Sequence, residues 1–349
     1  METFLFAVFY FVAVGYAEAP KKRVHFLLAF SCFAIAVIVG FRNPAAWADA
    51  SGYMANFLYN THSLSNFSFS DKPLGFQEFG FHFLGIILKT FTSNGTVYFL
   101  FISFLTFGFL YRSLDKYGIF PLVGLAVYMG RFLVGRNFCQ IRAALAIAII
   151  IYGTVYVTKQ KLWKYLLVIL IAYQFHHSSI LAIPLYFINK MKIKKWHIYV
   201  GLALSFIAAA FYGDSIKGFV SGSEFINDMA SSYVQEGSEK AWSNDLTNPM
   251  IYYQSFILLA FTFFEKQLKP LSIHYYTYRN AYFFSTVLLI TLCQYAVVAA
   301  RTSTIFATYE MIMIPMFVFL FTKESRVFPF IIIGFVSTMF FYLNYGPHV

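Results

Sequence analysis

Charged residues are scarce in this 349-residue sequence. Asp, Glu, Lys and Arg together make up 12% of the chain, which is about half their share in an ordinary soluble domain. Hydrophobic residues reach 59%, and the mean hydropathy is +0.64. Apolar runs long enough to cross a bilayer recur along almost the whole length. The composition excludes a water-soluble globular protein and predicts a single integral membrane domain over residues 1–349.

Several common functional signatures are missing as well. The three cysteines, Cys32, Cys139 and Cys293, have no metal-ligand spacing, so the sequence predicts neither a disulfide framework nor a zinc site. The sequence contains no D-x-D pair and no G-x-x-x-x-G-K-[ST] loop. These are the usual signs of a metal-dependent sugar-nucleotide transferase and of ATP-driven transport. We therefore predict no metal and no cofactor.

Positive charge is in excess, with a formal net charge of +11. The lysines and arginines stand in short clusters between apolar runs, as cytoplasmic anchors of membrane helices do. This distribution argues against a nucleic-acid partner, since such a protein gathers its cations on one exposed face. The predicted partner is the lipid bilayer, which the chain is expected to cross several times.

The apolar runs predict an all-α, polytopic transmembrane helical bundle of about 10–12 membrane segments. Two further stretches, 78–92 and 163–188, are ambiguous, and we expect the first to be re-entrant or to lie on the membrane surface. Predicted helices lie near residues 3–17, 24–41, 95–111, 118–134, 139–157, 197–213, 249–264, 280–299, 303–321 and 327–345.

The stretch 163–188 carries four polar residues at its centre, in AYQFHHSSILAIPL. Lysine clusters flank it on both sides, KQKLWK before and NKMKIKK after, so both ends should be cytoplasmic. The sequence therefore predicts a re-entrant or broken helix pair that enters and returns. His176 and Ser178 lie at its turn, where polar groups mark a cavity or a site. The alternative is a structural histidine that bonds a carbonyl freed by the turn.

This topology gathers polar residues on the outer face. Both termini face outward, and so do the long loops 42–77 and 214–248, which could cover a site. The side chains expected on that face are Arg42, Asp49, Glu78, Arg131, Arg136, Arg142, His176 and Arg301.

Five short motifs, in this order, resemble those of the EpsG-type members of the Wzy group of polysaccharide polymerases. They are FRNPAAWADASGY, EFGF, QIRAALA, FHHSSILAIP and AARTSTIFATYE. Two details depart from the family pattern: Ala48 replaces the glycine before Asp49, and Phe79 replaces a proline. The resemblance implies a GT-C-like architecture and metal-independent transfer. The implied substrate is an oligosaccharide repeat unit on undecaprenyl diphosphate. The resemblance also implies that the units are joined at the periplasmic face of the bacterial inner membrane, with a chain-length regulator protein as a further partner.

The implied reaction assigns roles to the polar residues. A leaving diphosphate needs fixed cations, and guanidinium groups suit phosphate oxygens, so Arg142, Arg136, Arg301, Arg131 and Arg42 are the candidates. The alternative is that these arginines extend to lipid headgroups. An attacking hydroxyl must lose its proton, and His176, Asp49 and Glu78 are the candidate bases. Candidates for sugar contact are Tyr53, Gln140, His177, Trp47 and Trp242.

Two other functions fit parts of the same pattern. A flippase or transporter of lipid-linked oligosaccharide would also use arginines and broken helices, although its site should lie near the membrane midplane. A membrane acyltransferase could use His176 as its base. The predicted O-antigen or exopolysaccharide polymerase differs from both because its loss removes long polymers and leaves single repeat units in place.

Overall fold

The computed structural model describes residues 1–47, 49–66, 78–221, 245–294 and 296–345. These residues are 84% helical and form no strand, so the all-α prediction is confirmed. The α-helices are Glu2–Gly15 (α1), Lys21–Gly40 (α2), Ala50–Ala55 (α3), Phe79–Phe91 (α4), Gly95–Tyr117 (α5), Pro121–Tyr128 (α6), Ile141–Tyr152 (α7), Thr154–Thr158 (α8), Leu162–Tyr173 (α9), Ile183–Lys190 (α10), Lys195–Ser221 (α11), Pro249–Phe263 (α12), Glu265–Leu268 (α13), Tyr275–Thr291 (α14), Ala296–Ala307 (α15), Glu310–Met316 (α16) and Val327–Tyr345 (α17).

The longer helices have the length and composition of membrane spans. Five of them qualify in the described residues: Lys21–Gly40, Gly95–Tyr117, Ile141–Thr158, Lys195–Gly213 and Lys323–Tyr345. The broken pair Val298–Ala307 and Glu310–Leu320 supplies a sixth if it counts as one span. Shorter apolar helices are Glu2–Gly15, Phe79–Phe91, Leu162–Tyr173 and Pro249–Phe263. The prediction of a polytopic helical bundle is therefore confirmed. The described residues contain fewer full-length spans than the about 10–12 membrane segments that the sequence predicts.

Some helix boundaries differ from the predicted ones. The predicted helix 118–134 is α6 followed by a π-helix over Met129–Cys139, because an apolar run does not reveal which hydrogen-bond pattern the backbone adopts. The predicted break near residue 300 falls instead between α14 and α15, so Arg301 lies inside α15 and does not head a helix. Helix α11 continues to Ser221, beyond its predicted end.

The chain reverses between α9 and α10, as the flanking lysines predict. The rings of Tyr165 and Tyr186 stack with centroids 6.3 Å apart, although a continuous helix would separate them by about 30 Å. The Tyr165 hydroxyl donates to the carbonyl of Ala182, and the Tyr186 hydroxyl donates to that of Gln160. A 3₁₀ segment over His177–Ala182 precedes the returning helix.

The described chain forms two compact units. The first consists of Met1–Gly153, Leu167–His177 and Glu310–Val349, and the second of Thr154–Leu166 and Ser178–Tyr309. The single membrane domain and the outward orientation of the loops remain predictions. Residues 67–77 and 222–244, which form much of the two predicted outer loops, lie outside the described residues.

Helix α5 organises the first unit by packing against α2 and α7. Every residue from Ile141 to Ile151 is buried except Arg142. This part of α7 is rich in alanine, and small side chains let helices approach closely in the absence of a hydrophobic driving force between them. Gly40 of α2 serves the same purpose, because a Cβ there would lie 2.8 Å from the Cα of Leu100.

Helix α14 organises the second unit, where it packs against α10, α11, α12 and α15. Its tyrosines Tyr275, Tyr278 and Tyr282 are almost completely buried. Ser285 donates to the carbonyl of Ser303 at 2.6 Å, which joins α14 to α15. Buried hydroxyl groups satisfied in this way hold neighbouring helices in register.

A substitution at Gly130 tests how closely the π-helix approaches α17. A Cβ at Gly130 would lie 2.4 Å from the carbonyl oxygen of Ser337, so Gly130→Ala forces a backbone shift and should cost about 1–3 kcal/mol of stability. Gly108→Ala in α5 is the matched control, since no neighbouring atom lies within 4 Å. Thermal unfolding in one detergent should give a lower Tm for G130A and no loss for G108A. An unchanged Tm for G130A would contradict this packing.

Candidate functional site

A buried carboxylate joins two of the predicted site residues in the first unit. Glu78 is 3% exposed. Its Oε2 accepts a hydrogen bond from Nη1 of Arg142 at 2.6 Å, and its Oε1 lies 3.0 Å from Nδ1 of His176. The backbone N–H of His177 donates to the same Oε1 at 3.2 Å. Tyr53 contacts Arg142. We call these four residues, Glu78, Arg142, His176 and Tyr53, the Glu78 site.

Glu78 stands at the N-cap position of α4, and a tight contact fixes the start of this helix. The backbone N–H of Phe81 donates to the carbonyl of Gln174 at 3.0 Å. Gly80 makes this approach possible, because a Cβ there would lie 2.5 Å from Cβ of Gln174. The EFGF motif therefore places its carboxylate beside the end of α9, where His176 follows.

Arg142 lies in the first turn of α7, which begins where the π-helix ends. Gln140 separates the two elements with φ −98° and ψ 62°. A cation is poorly placed here, since the N-terminus of a helix carries partial positive charge. Glu78 offsets this cost, and Nε of Arg142 also donates to the hydroxyl of Tyr53 at 3.1 Å. The local electrostatics therefore favour an anion at this position.

His176 lies just beyond α9, where its backbone N–H still donates to the carbonyl of Ala172. An ionised carboxylate can only accept hydrogen bonds, so the contact with Glu78 assigns the proton to Nδ1. In the neutral imidazole Nε2 then carries the lone pair. The side chain of His176 is 20% exposed, and that of Arg142 is 19% exposed. A ligand can therefore reach both side chains, whereas Glu78 is buried. The ring of His177 instead stacks on Tyr173, with centroids 4.7 Å apart.

The charge state of Glu78 follows from its neighbours. Burial raises the pKa of a carboxyl group, but the hydrogen bond from His176 and the charge of Arg142 outweigh burial and hold the pKa of Glu78 at about 2. Glu78 is therefore a carboxylate at neutral pH. A base with so low a pKa accepts protons weakly.

Arg42 supports the same region through backbone contacts. Its guanidinium donates to the carbonyls of Asn137 and Phe138, at 2.6 and 2.8 Å, and to that of Val39 at 2.8 Å. The side chain also lies over the ring of Phe99. Asn137 and Phe138 end the π-helix that leads into α7, so Arg42 fixes the segment before Arg142. The contact of Arg42 with a diphosphate stays a prediction.

Arg131 and Arg136 both lie over the ring of Phe132 in the first unit, and Arg136 is buried. Nε of Arg131 lies 3.7 Å from Oε2 of Glu310, and the guanidinium of Arg136 lies over the ring of Phe132 at 4.1 Å. Glu310, which is 0% exposed, is not among the residues predicted for the site. The sequence did contain a signal for Glu310, because an ionisable residue within an apolar stretch often marks a functional site.

Asp49, Arg301 and Trp242 are the remaining candidates. Asp49 is exposed and adopts a left-handed backbone with φ 61° at the start of α3, the helix that carries Tyr53. No hydrogen bond or ion pair links Asp49 to the Glu78 site in the described part of the chain. Arg301 belongs to α15 of the second unit. Trp242 lies outside the described residues. No group of three or more His, Cys, Asp or Glu side chains among the described residues could hold a metal ion.

Comparison with known proteins decides the family. The sequence model of the EpsG family matches residues 25–348, which is nearly the whole chain. The chain belongs to the EpsG family. The resemblance of the short motifs is thereby confirmed, and EpsG membership indicates a role like that of a polysaccharide polymerase. No curated protein and no solved structure matches the chain significantly.

The low pKa of Glu78 predicts a pH-dependent contribution to the stability of this EpsG-family protein. An unfolded glutamate titrates near about 4.3, so the unfolded state takes up a proton more readily than the folded state. The contribution of Glu78 is fully present above about pH 5 and falls by about 3 kcal/mol as pH decreases toward 2. The stability difference between the wild type and Glu78→Gln should therefore shrink between pH 7 and pH 3.

Chemical denaturation of both proteins across this pH range measures the effect. Glu18→Gln serves as the control, because Glu18 is 62% exposed in its pair with Arg326 and such pairs contribute little. A difference for Glu78→Gln that stays constant with pH would contradict the low pKa.

Proposed function

We propose that this protein polymerises oligosaccharide repeat units carried on a lipid diphosphate, undecaprenyl diphosphate in bacteria. The reaction transfers the growing chain from its lipid diphosphate to a hydroxyl of the next lipid-linked unit, at the periplasmic face of the inner membrane. The observation that carries the proposal is the shared contact of Arg142 and His176 with the carboxylate of Glu78. Arg142 supplies a cation for the negative charge that grows on the leaving diphosphate. His176 supplies a base for the proton that the attacking hydroxyl loses.

Arg142 is proposed to bind the leaving diphosphate. As the bond between the anomeric carbon and the diphosphate oxygen breaks, negative charge grows on that oxygen. A guanidinium stays protonated and can donate two parallel hydrogen bonds to phosphate oxygens. The N-terminus of α7 adds backbone N–H groups and partial positive charge at the same place. The diphosphate then leaves with its lipid.

His176 is proposed to accept the proton of the attacking hydroxyl. The new bond forms between the acceptor oxygen and the anomeric carbon, and the hydroxyl proton moves to Nε2 of His176. The carboxylate of Glu78 stabilises the resulting imidazolium and holds the ring in its tautomer, as an acidic residue does for histidine in a catalytic triad. With a pKa of about 2, Glu78 serves better as a positioning residue than as the base itself.

Tyr53 completes the proposed site from the side of α3. Its hydroxyl accepts from Nε of Arg142, and its ring lies 5.3 Å from the guanidinium carbon. An aromatic ring next to the phosphate-binding group could also support a sugar through its apolar face. Asp49 remains a candidate base, and Gln140 and His177 remain candidates for further contacts with the sugars. Arg131, Arg136, Arg301 and Arg42 remain candidates for contacts with the diphosphate.

Complementation of a strain that lacks this protein tests the proposal. Removing one donor aimed at developing negative charge lowers rates about 10²–10³-fold, so Arg142→Ala should abolish the ladder of polymer lengths on a sugar-stained gel. His176→Ala should do the same if the imidazole takes the proton. Single repeat units should remain in both strains, and an immunoblot of the membrane fraction checks that each variant protein is present.

Matched variants make the outcome specific. Arg112→Ala removes an exposed arginine of α5, and His197→Ala removes a histidine of α11, so both should retain the ladder. A normal ladder with Arg142→Ala would refute the role of the arginine. Loss of single units, with lipid-linked repeats retained in the cytoplasmic leaflet, would indicate a flippase. Polymer of normal length that lacks acyl groups would indicate an acyltransferase.

A further inference from the structure

A large cavity lies within the second unit, among residues that the reaction above does not use. Its volume is about 940 Å³, which is at the upper end of the range for small-molecule sites. Two segments provide most of its wall: the lysine-rich stretch after α10, and the start of α14 with the residues before it. The lining residues are Thr158, Gln160, Tyr186, Asn189, Lys190, Lys192, Ile193, Lys194, Lys195, Glu265, Ile273, Tyr276, Thr277, Arg279 and Asn280.

Arg279 forms the fixed, buried part of this wall. Its side chain is 1% exposed and donates to Oε2 of Glu265 at 3.0 Å. The other carboxylate oxygen of Glu265 accepts from the hydroxyl of Tyr276 at 2.9 Å. Asn280 donates to the side-chain oxygen of Asn189 at 3.2 Å, which ties α14 to α10. This network gives the cavity a rigid polar base in which one carboxylate balances one guanidinium.

The lysines supply charge that this network does not balance. Lys190, Lys192 and Lys194 are exposed, and within the described ranges no carboxylate lies within ion-pair distance of them. Lys195 donates to the carbonyl of Phe263 at 3.1 Å. Four lysines and one arginine thus face a single glutamate around one cavity. Cations so arranged attract an anionic ligand.

Part of the wall is apolar and aromatic. Ile273 and Tyr276 are exposed at the cavity, and Tyr186 and Ile193 line it as well. Basic side chains beside exposed apolar ones are typical of sites for anionic lipid headgroups on the cytoplasmic side of a membrane. The positive-inside tendency predicts that side for the NKMKIKK segment. A soluble phosphate compound presents the same charged group.

We propose that this cavity is a second ligand site, which binds a phosphate group carried by an anionic phospholipid or by a soluble phosphorylated compound. The lysines contact the phosphate oxygens, and the apolar wall holds the attached moiety. This inference does not depend on the polymerase reaction, because none of its residues belongs to the Glu78 site.

Ligand binding to the purified full-length protein tests the proposal. Native mass spectrometry measures retention of phosphatidylglycerol against phosphatidylcholine, and thermal unfolding with inorganic phosphate or pyrophosphate measures the soluble source. Lys190→Gln with Lys194→Gln removes two charges from the cavity. These two positions avoid Lys192, whose backbone is left-handed with φ 50°. We expect this double variant to bind the preferred probe about tenfold more weakly or worse.

A matched pair of lysines provides the control. Lys159 and Lys161 are exposed, belong to a neighbouring basic segment and do not line the cavity. The double variant Lys159→Gln with Lys161→Gln should bind within about twofold of wild type, and Lys190→Arg with Lys194→Arg should as well, because the charge is retained.

The two sources give different results. Selective retention of phosphatidylglycerol, unaffected by added phosphate, indicates a lipid headgroup. A rise in Tm with phosphate or pyrophosphate that K190Q/K194Q abolishes indicates a soluble compound. Equal losses in both glutamine pairs would mean general surface attraction and would overturn the proposal. Failure of wild type to bind any of these probes would overturn it as well.

Discussion

The carboxylate of Glu78 is almost completely buried, and it accepts hydrogen bonds from Arg142 and from the backbone of His177 while it contacts the imidazole of His176. These groups come from three segments that lie far apart in the sequence. A buried charge without partners would be expensive, and so would a guanidinium at the N-terminus of α7. The carboxylate of Glu78 and the guanidinium of Arg142 therefore stabilise each other. The contact with Glu78 also orients the imidazole of His176.

Other features of the first unit preserve this contact. Gly80 lets the start of α4 approach Gln174, which brings Glu78 to the end of α9. Arg42 bonds the carbonyls that end the π-helix and so fixes where α7 begins. Both residues act on the backbone, and neither needs to touch a substrate to affect the site. Substitutions at these positions should therefore disturb the geometry of the site.

Two physical classes of cation can be distinguished among the described residues. Arg142, Arg131 and Arg279 each lie within ion-pair distance of a buried or half-buried carboxylate, which makes a cation tolerable in an apolar bundle. Three lysines at the cavity of the second unit, Lys190, Lys192 and Lys194, are exposed and have no described carboxylate partner. Charges of the first class orient other groups, whereas charges of the second class remain available to an external anion.

The sequence by itself determined the class of fold, the reversal near His176 and the family, because hydropathy, flanking lysines and short motifs are local properties. It also identified Arg142, Glu78 and His176 as separate candidates. Only the tertiary structure decided that Glu78 joins the other two, because side chains from distant segments meet through helix packing that no local pattern records. For the same reason the Glu310 pair and the lysine-lined cavity emerged only from the structure. The π-helix did so too, because an apolar run does not reveal which backbone hydrogen bonds form.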